Sequence, residues 1–230
     1  MMGMIALLPM KGHSERVPNK NIRLLNGHPL FYYIADTLKN TGLFELLAIN
    51  TDSPEIARLA IDRYDDWVRI IDRPSDLVGD QVPMNSIIAH DIAILGSDHS
   101  YFQTHSTNPL LGAGTIQTAV ERYYVVSRNG EFDSLFSVNA LQTRLYDKDL
   151  NPMNHNPSVL DRTQDLNIVY EENSNFYIFS GKSFAYNGHR IGPNPDLYVM
   201  NRNSAEGIDI DEISDWDFAE AILKSGYIHG

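Results

Sequence analysis

A short segment near the amino terminus collects cationic and small polar side chains. Positions 9–21 read PMKGHSERVPNKN, which places three cations around one glycine directly after a β-rich run. Ligands of an open α/β sheet bind beyond the carboxyl ends of its strands, so these cations could neutralise a polyanion. The segment matches neither of the common glycine-rich phosphate-binding motifs, and by itself an ordinary solvated surface loop is the more frequent role of such a sequence.

Two aspartates near the carboxyl terminus have the spacing of a shared ligand. Asp209 and Asp211 lie two positions apart in what resembles a strand end, where both side chains would point to one face and could share a hard cation such as Mg²⁺. The pair also precedes a predicted helix, which Asp211 or Ser214 could cap. The residues alone leave both interpretations open.

The remaining candidate side chains are less specific. The eight histidines include no H-E-x-x-H or other close ligand pair, so surface or loop positions are expected for them. The simplest role for Arg73 is a surface ion pair with Asp72 or Asp76. Because the chain has no cysteine, disulfides, thiolate nucleophiles and cysteine-bound zinc are excluded.

These side chains must be positioned by strands and helices that alternate along the chain, a pattern that predicts βαβ units and a largely parallel sheet. The expected strands are 5–9, 46–50, 67–71, 100–104, 134–138, 176–179 and 197–200. Helices are expected from Pro29 to about Gly42, along the apolar stripes 87–95 and 116–123, and after Ser53-Pro54-Glu55, which supplies an N-cap and a proline at the first helical position. A last helix is expected from 214 to 224, with Phe218, Ala221 and Ile222 facing inward.

The alternation fails from about 140 to 175, in a polar stretch rich in asparagine and proline. A structureless loop of that length is improbable in a compact domain, so this excursion is interpreted as a small subdomain or an oligomerisation arm that could mediate a homodimer. A length of 230 residues fits one large α/β domain over positions 1–230.

Composition limits the function classes. The hydrophobic fraction of 43% and the charged fraction of 21% are those of a globular protein. Eighteen Lys and Arg against thirty Asp and Glu give a net charge of −12, which argues against nucleic acid or an anionic membrane as the main partner. No apolar stretch is long enough to span a bilayer, and the first residues lack the features of a signal peptide, so a cytoplasmic location is expected.

The order of motifs resembles the acylneuraminate (CMP-sialic acid) cytidylyltransferase family. Positions 10–21 are similar to A-R-x-x-S-K-x-x-P-x-K-N, and 27–30 to G-x-P-L. Further matches follow in the family's order: 50–52 for S-T-D, 73–80 for R-P-x-x-L-x-x-D, 107–110 for T-S-P-L and 208–211 for I-D-I-D. Six matches in one order are far more specific than any one of them.

The resemblance implies a single Rossmann-like nucleotidyltransferase domain that moves CMP from CTP to an acidic sugar, an N-acylneuraminate or related nonulosonic acid, and releases pyrophosphate. Asp209 and Asp211 would bind Mg²⁺. The catalytic group would be Lys11, Arg16, Lys20 and Asp211, with the cations on the triphosphate. The nucleotide would contact Pro9, Met10, Lys11, Asn21, Arg73, Pro74 and His105, and the sugar would contact Arg162, Gln164, Asn173 and Asn175.

Several positions depart from the family pattern. Where the family pattern has an arginine, this chain has Lys11, and where it has a lysine, this chain has Glu15, which has the opposite charge. His105 and Leu111 replace a glutamine and an arginine of the pattern. Positions 81–85 read QVPMN where small hydroxyl residues are expected. These changes keep two alternatives open: a cytidylyltransferase for another acidic acceptor, such as 3-deoxy-octulosonate or a phosphonate, and a non-catalytic nucleotide- or sugar-binding homologue.

Overall fold

Alternating strands and helices build one seven-stranded sheet and a small hairpin in the computed structural model, which describes residues 3–226. In chain order the elements are β1 Met4–Leu7, β2 Leu24–Leu25, β3 His28–Pro29, α1 Leu30–Thr41, β4 Phe44–Thr51, α2 Pro54–Tyr64, β5 Val68–Asp72, α3 Met84–Leu95, β6 Ser100–Thr104, α4 Ala113–Arg128, β7 Ser134–Leu141, β8 Val169–Ser180, α5 Gly181–Asn187, β9 Pro195–Met200 and α6 Ile213–Ser225.

The strand order of the sheet is β5-β4-β1-β6-β8-β7-β9. Every neighbouring pair is parallel except the two that involve β8, which runs antiparallel to β6 and β7. The predicted mostly parallel α/β fold is therefore confirmed. The loops that follow β1, β4, β5 and β6 consequently meet at one edge of the sheet, where ligands of open α/β sheets bind.

The period of two along the strands divides the core between the two faces of the sheet. On β1, Met4 and Ala6 pack under α1, α2 and α4, whereas Ile5 and Leu7 pack under α3 and α5. The predicted start of α2 is confirmed, because Ser53 Oγ accepts a hydrogen bond from the backbone of Ile56 at 3.3 Å. Helices therefore cover both faces and leave the carboxyl edge open.

The last helix packs with a different face from the one expected. Trp216 and Ala219 are buried in a small cluster with Leu25 of the hairpin, whereas Phe218 is 61% exposed and Ala221 is exposed. The prediction that Phe218 and Ala221 face inward is wrong. The helix packs on the hairpin and the segment at 9–21, and the sequence period alone could not identify that partner.

The excursion is shorter than predicted. Strands β7 and β8 remain paired as far as Leu141 and Val169, so the irregular part is 142–168 and not 140–175. The buried amide of Asn154 holds this segment together, since it donates to the carbonyls of Thr143 and Asn167 and accepts from the amide of Leu145. Its proposed function in oligomerisation stays a prediction. Within residues 3–226, no helix has the length and apolar character needed to cross a membrane.

A buried aspartate links α3 to the sheet. Asp91 is 1% exposed, and its Oδ1 accepts a hydrogen bond of 2.6 Å from Nδ2 of Asn50 on β4. Burial raises the pKa of Asp91 to about 7, although the Asn50 hydrogen bond and the charge of Arg73 act in the opposite direction. The folded chain therefore keeps this carboxyl largely protonated under mildly acidic conditions.

This raised pKa predicts a pH-dependent stability that Asp91→Asn should remove. Between about pH 4 and pH 7 the folded state retains a proton that the unfolded state has released, so stability falls as pH rises through that window. The gap between 3.8 and about 7 corresponds to about 4 kcal/mol. Urea unfolding should show the parent losing up to that much stability relative to Asp91→Asn, with exposed Asp217→Asn as control. Parallel pH profiles for parent and Asp91→Asn would contradict the assignment.

Candidate active site

The cationic segment at 9–21 forms one wall of a cleft over the carboxyl edge of the sheet. Its first part continues β1, with the backbone amide of Met10 donating to the carbonyl of Asn50 at 2.9 Å. Its end is held by the buried Asn21, whose Nδ2 donates to the Lys11 carbonyl at 2.8 Å and whose Oδ1 accepts from Ser106 at 2.5 Å. Asn21 thus connects the segment to the loop after β6. The two hydrogen bonds occupy the oxygen and one N–H of the side-chain amide that was expected to contact cytosine.

Two adjoining cavities occupy the cleft and share Lys11, Lys20 and Asp80 in their walls. The first, of about 240 Å³, is lined by Lys20 and by most of the residues expected at the nucleotide: Pro9, Met10, Lys11, Asn21, Arg73 and His105. The second, of about 370 Å³, is lined by the expected catalytic group Lys11, Arg16, Lys20 and Asp211. Residues separated by up to 200 positions therefore meet in one place.

Carboxylates and a carbonyl hold the three cations of the segment. Lys20 is only 14% exposed, and its Nζ donates to the Ile210 carbonyl at 2.6 Å and lies 3.5 Å from Asp211 Oδ1. Arg16 lies 2.9 Å from the same oxygen, and Lys11 pairs with Asp80. Exposed ion pairs of this kind are weak, so a polyphosphate could replace the carboxylates around Lys11 and Arg16.

Arg73 is held by a neutral amide and not by a surface carboxylate. Its Nε donates to Asn50 Oδ1 at 2.7 Å, and its Nη2 donates to the Asn50 carbonyl at 2.8 Å. Burial lowers its pKa. Within residues 3–226 it forms no ion pair with Asp72 or Asp76, so that expectation is wrong: the guanidinium turns inward along the carboxyl end of β4. Pro74 follows it at the start of a short turn and does not line either cavity.

The two aspartates lie in an irregular segment, so the expected strand is wrong. The backbone amide of Ile210 donates to the Thr107 carbonyl at 2.8 Å, which fixes the segment beside the loop after β6. The start of α6 is closed by a capping box of Glu212 and Asp215, in which Asp215 accepts from the backbone amide of Glu212 at 2.8 Å and also from that of Asp211 at 2.9 Å. Neither Asp211 nor Ser214 caps the helix, and the Asp211 carboxylate remains directed at the cations.

The donor chemistry of this pair fits Mg²⁺. Burial raises the pKa of Asp209 and the negative charge of Asp211 adds to the effect, whereas a hydrogen bond with Thr107 opposes it; of the two aspartates, only Asp211 lines the second cavity. Mg²⁺ usually takes one or two carboxylates and completes its shell with water and substrate phosphates. Residues 3–226 contain no group of three or more His, Asp or Glu that could form an all-protein cage. The pair therefore suits a cation shared with a phosphorylated substrate.

His105 lines the cleft beside a group of residues that the sequence did not indicate. Its Nε2 lies 3.1 Å from Nε2 of the buried Gln103, whose Oε1 accepts from Arg190 at 2.6 Å. Gln103 lies in a predicted strand, and Arg190 follows it by 87 positions in a loop without a motif. No local pattern could have joined them.

The residues expected at the sugar do not line the cleft. Arg162 is 72% exposed and pairs with Asp165 in the excursion at 2.7 Å, close to Gln164, whose carbonyl accepts from Gln142. Asn173 donates to Asn139 on β7. Asn175 is fully buried beside the end of β6, and its side-chain amide has no hydrogen-bond partner among the described residues. Their sugar-binding role stays a prediction.

Solved structures share the fold. The synthetase that makes CMP-2-keto-3-deoxy-manno-octonic acid, solved with CTP, superposes with a TM-score of 0.69 at 10% identity and covers 97% of this chain and 99% of its own. The 4-diphosphocytidyl-2C-methyl-D-erythritol synthase of Anaerococcus prevotii gives a TM-score of 0.66, also at 10% identity, over 97% and 96% of the two chains. At such identity the likeness concerns the architecture alone.

Proteins that are similar in sequence identify the family of this chain. The pseudaminic acid cytidylyltransferase of Campylobacter jejuni is 26% identical over 96% of each chain. The CMP-N,N'-diacetyllegionaminic acid synthase of Legionella pneumophila is 26% identical over 97% of each chain, and N-acylneuraminate cytidylyltransferase A of Danio rerio is 28% identical over 96% of this chain and 51% of its own. A family model described as cytidylyltransferase matches residues 5–224. The chain therefore belongs to the cytidylyltransferase family and is an acylneuraminate cytidylyltransferase-like enzyme.

Proposed function

We propose that this enzyme transfers CMP from CTP to a nonulosonic acid and releases pyrophosphate. The observation that carries the proposal is the convergence of Lys11, Arg16 and Lys20 with Asp211 in one cavity at the carboxyl edge of the sheet. The carboxylates of Glu15, Asp80 and Asp211 line the same cavity, so a triphosphate would bind by replacing the contacts that Lys11 and Arg16 make with Asp80 and Asp211. The named relatives act on pseudaminic, legionaminic and neuraminic acids, which supports an acidic nine-carbon acceptor.

In the proposed reaction, a hydroxyl oxygen of the sugar attacks the α-phosphorus of CTP. The bond between that phosphorus and the β-bridging oxygen breaks, pyrophosphate leaves with the electron pair, and the hydroxyl proton is released. Lys20 is suited to the charge that develops on the leaving group, because its ammonium is the least exposed of the three and is least screened by water. Lys11 and Arg16 are more exposed and would neutralise the outer phosphates.

The other residues of the cleft would bind and orient. Arg73 presents its remaining N–H donors to the cavity from a fixed position on Asn50, a geometry suited to the acceptor atoms of cytosine. Asp209 and Asp211 would hold Mg²⁺, which when bound supplies a Lewis acid for the triphosphate and screens the charge of the acidic sugar. The roles of Arg162, Gln164, Asn173 and Asn175 at the sugar rest on the family resemblance.

We also propose that the excursion joins two copies of the chain. Its apolar side chains are unusually exposed, with Leu160 at 91%, Leu150 at 80% and Met153 at 61%. Several large apolar side chains exposed on one segment favour a surface that is covered in the assembled protein. The ordering of the segment by Asn154 would present them in a fixed arrangement.

The reaction predicts pyrophosphate release with CTP and Mg²⁺ that depends on one acidic sugar. A panel should contain pseudaminic, N-acetylneuraminic, diacetyllegionaminic and 3-deoxy-octulosonic acids. Lys20→Met and Asp211→Asn should each lower kcat at least about a hundredfold, some 2.7 kcal/mol of transition-state stabilisation. Exposed Lys182→Met and Asp217→Asn serve as matched controls. Strict preference for the octulosonic acid would refute the acceptor class, and CTP binding without release for any sugar would refute the transfer.

The held position of Arg73 predicts an effect on nucleotide binding. Arg73→Lys keeps the charge but places all its donors on one nitrogen, which cannot reproduce the planar fork that spans the two oxygens of Asn50 and the nucleotide. The KM for CTP should therefore rise about tenfold with a smaller change in kcat. Arg69→Lys, at an exposed position on β5, the strand that Arg73 follows, is the matched control. An unchanged KM for CTP in Arg73→Lys would place Arg73 outside the nucleotide site.

The proposed dimer predicts a change of mass in solution. Light scattering coupled to size-exclusion chromatography should give twice the chain mass for the parent and a single chain mass for Leu160→Asp combined with Leu150→Asp. Val125→Asp, at an exposed apolar position on α4, should remain dimeric. A parent that elutes as a monomer, or a double variant that remains dimeric, would refute this interface.

A further inference from the structure

A chain of three side chains, Arg190, Gln103 and His105, leads from the loop after α5 to the cleft. Arg190 Nη1 donates to Gln103 Oε1 at 2.6 Å, and Gln103 Nε2 lies 3.0 Å from the Thr104 carbonyl and 3.1 Å from His105 Nε2. Gln103 is fully buried, and His105 lines the first cavity. This arrangement determines which groups donate and which accept.

The orientation of the Gln103 amide follows from its neighbours. A guanidinium can only donate, so Arg190 requires the oxygen of the amide, and the NH₂ group must face the opposite side. Its two hydrogens then go to the Thr104 carbonyl, which can only accept, and to Nε2 of His105. A ring nitrogen that accepts a hydrogen bond carries no proton, so a neutral His105 must carry its proton on Nδ1.

Arg190 is itself fixed in place. Its guanidinium carbon lies 3.5 Å from the centre of the Tyr177 ring, Nη2 lies 3.7 Å from Glu172 Oε1, and its backbone amide donates to Asn85 at 3.3 Å. The side chain is 14% exposed. The hydroxyl of Tyr177 donates to Glu172, so the carboxylate that faces Arg190 is also held. The cation therefore has little freedom to release Gln103.

The surroundings of His105 favour the neutral ring. The charged groups that face it are Arg190 from the loop after α5, Lys20 from the cationic segment, and Asp211 from the segment before α6. Burial, followed by the positive charges of Arg190 and Lys20, lowers the pKa of His105 to about 3, and Asp211 opposes this only in part. The ring is therefore uncharged at neutral pH.

We propose that Arg190, acting through Gln103, fixes His105 as a neutral imidazole protonated on Nδ1, which donates one hydrogen bond to a substrate oxygen in the cleft. Among the described residues Nδ1 has no hydrogen-bond partner, which leaves it for a ligand. Arg190 and Gln103 are positioning residues, and His105 is a binding residue that cannot accept a proton at Nδ1. The identity of the ligand rests on the proposed function, whereas the tautomer does not.

The tautomer can be measured on the free protein by long-range ¹H–¹⁵N correlation of the histidine rings. The chain has eight histidines, so the His105 signals are assigned by their loss in His105→Asn. We expect a neutral ring with the proton on Nδ1 from pH 5 to pH 8. Arg190→Met and Gln103→Met should convert it to the Nε2–H form or a mixture, whereas Arg190→Lys, which retains a donor, and the exposed control Arg202→Met should preserve it.

Several results would refute the proposal that Arg190 and Gln103 set the tautomer of His105. They are an Nε2–H ring or a cationic ring in the parent at pH 7, or unchanged His105 signals in both Arg190→Met and Gln103→Met. The parent measurement needs no variant, so misfolding of one variant leaves the test intact. CTP alone and the acidic sugar alone are then added. A shift of the Nδ1 proton with either one identifies the source of the oxygen, and no shift with both together refutes the ligand contact.

Substitutions of His105 provide a kinetic test with a conservative rescue. The amide nitrogen of asparagine stands as many bonds from Cα as Nδ1, whereas that of glutamine stands as many bonds away as Nε2. His105→Asn should therefore keep the KM of the bound substrate within about threefold of the parent, and His105→Gln should raise it about tenfold with kcat nearly unchanged. The opposite order would refute donation from Nδ1. Loss of transfer with every sugar, while the free protein shows the expected tautomer, would refute only the proposed function.

Discussion

Two buried amides, Asn50 on β4 and Gln103 on β6, hold two arginines, Arg73 and Arg190, and Gln103 also contacts His105. Each is fully buried, and each accepts a hydrogen bond from an arginine through its side-chain oxygen. The NH₂ group of Asn50 faces Asp91, and that of Gln103 faces His105. A buried polar atom without a hydrogen-bond partner is costly. An amide between two fixed partners therefore has one favourable orientation, and that orientation decides which of its neighbours donates and which accepts. The positions of Arg73 and His105 depend on this constraint.

The cations of the cleft differ in how firmly they are held, and the difference suits their proposed tasks. Lys11 and Arg16 pair with exposed carboxylates, contacts that water screens and that a polyphosphate can replace. Lys20 and Arg190 are each 14% exposed and donate to a carbonyl or amide oxygen at 2.6 Å, with their carboxylate neighbours, Asp211 and Glu172, farther away at 3.5 and 3.7 Å. The protein thus combines two exposed cations that a polyphosphate can take over with two less exposed cations that its own oxygens hold.

The topology brings these groups together through a few backbone contacts. Parallel pairing sets the ends of β1, β4, β5 and β6 side by side, and the contact between Ile210 and Thr107 attaches the distant aspartates to the same edge. Capping of α6 by Asp215 is as important, because it leaves the Asp211 carboxylate available to the cations. The Asp215 carboxylate binds backbone amides at the start of the helix, and the Asp211 carboxylate contacts the cations of the cleft.

Local signals in the sequence determined the alternation of strands and helices, the start of α2 at Ser53, and the order of the cationic segment and the acidic pair. The period of side chains, the capping residues and the positions of charges are all properties of neighbouring residues. Tertiary structure alone decided that α6 buries Trp216 and exposes Phe218, that Arg73 binds Asn50, and that Arg190 reaches Gln103 across 87 positions. A sequence period shows that a helix has an apolar face, and residue type shows which groups need a partner. Which partner they meet depends on strand order and register, and these exist only once the chain has folded.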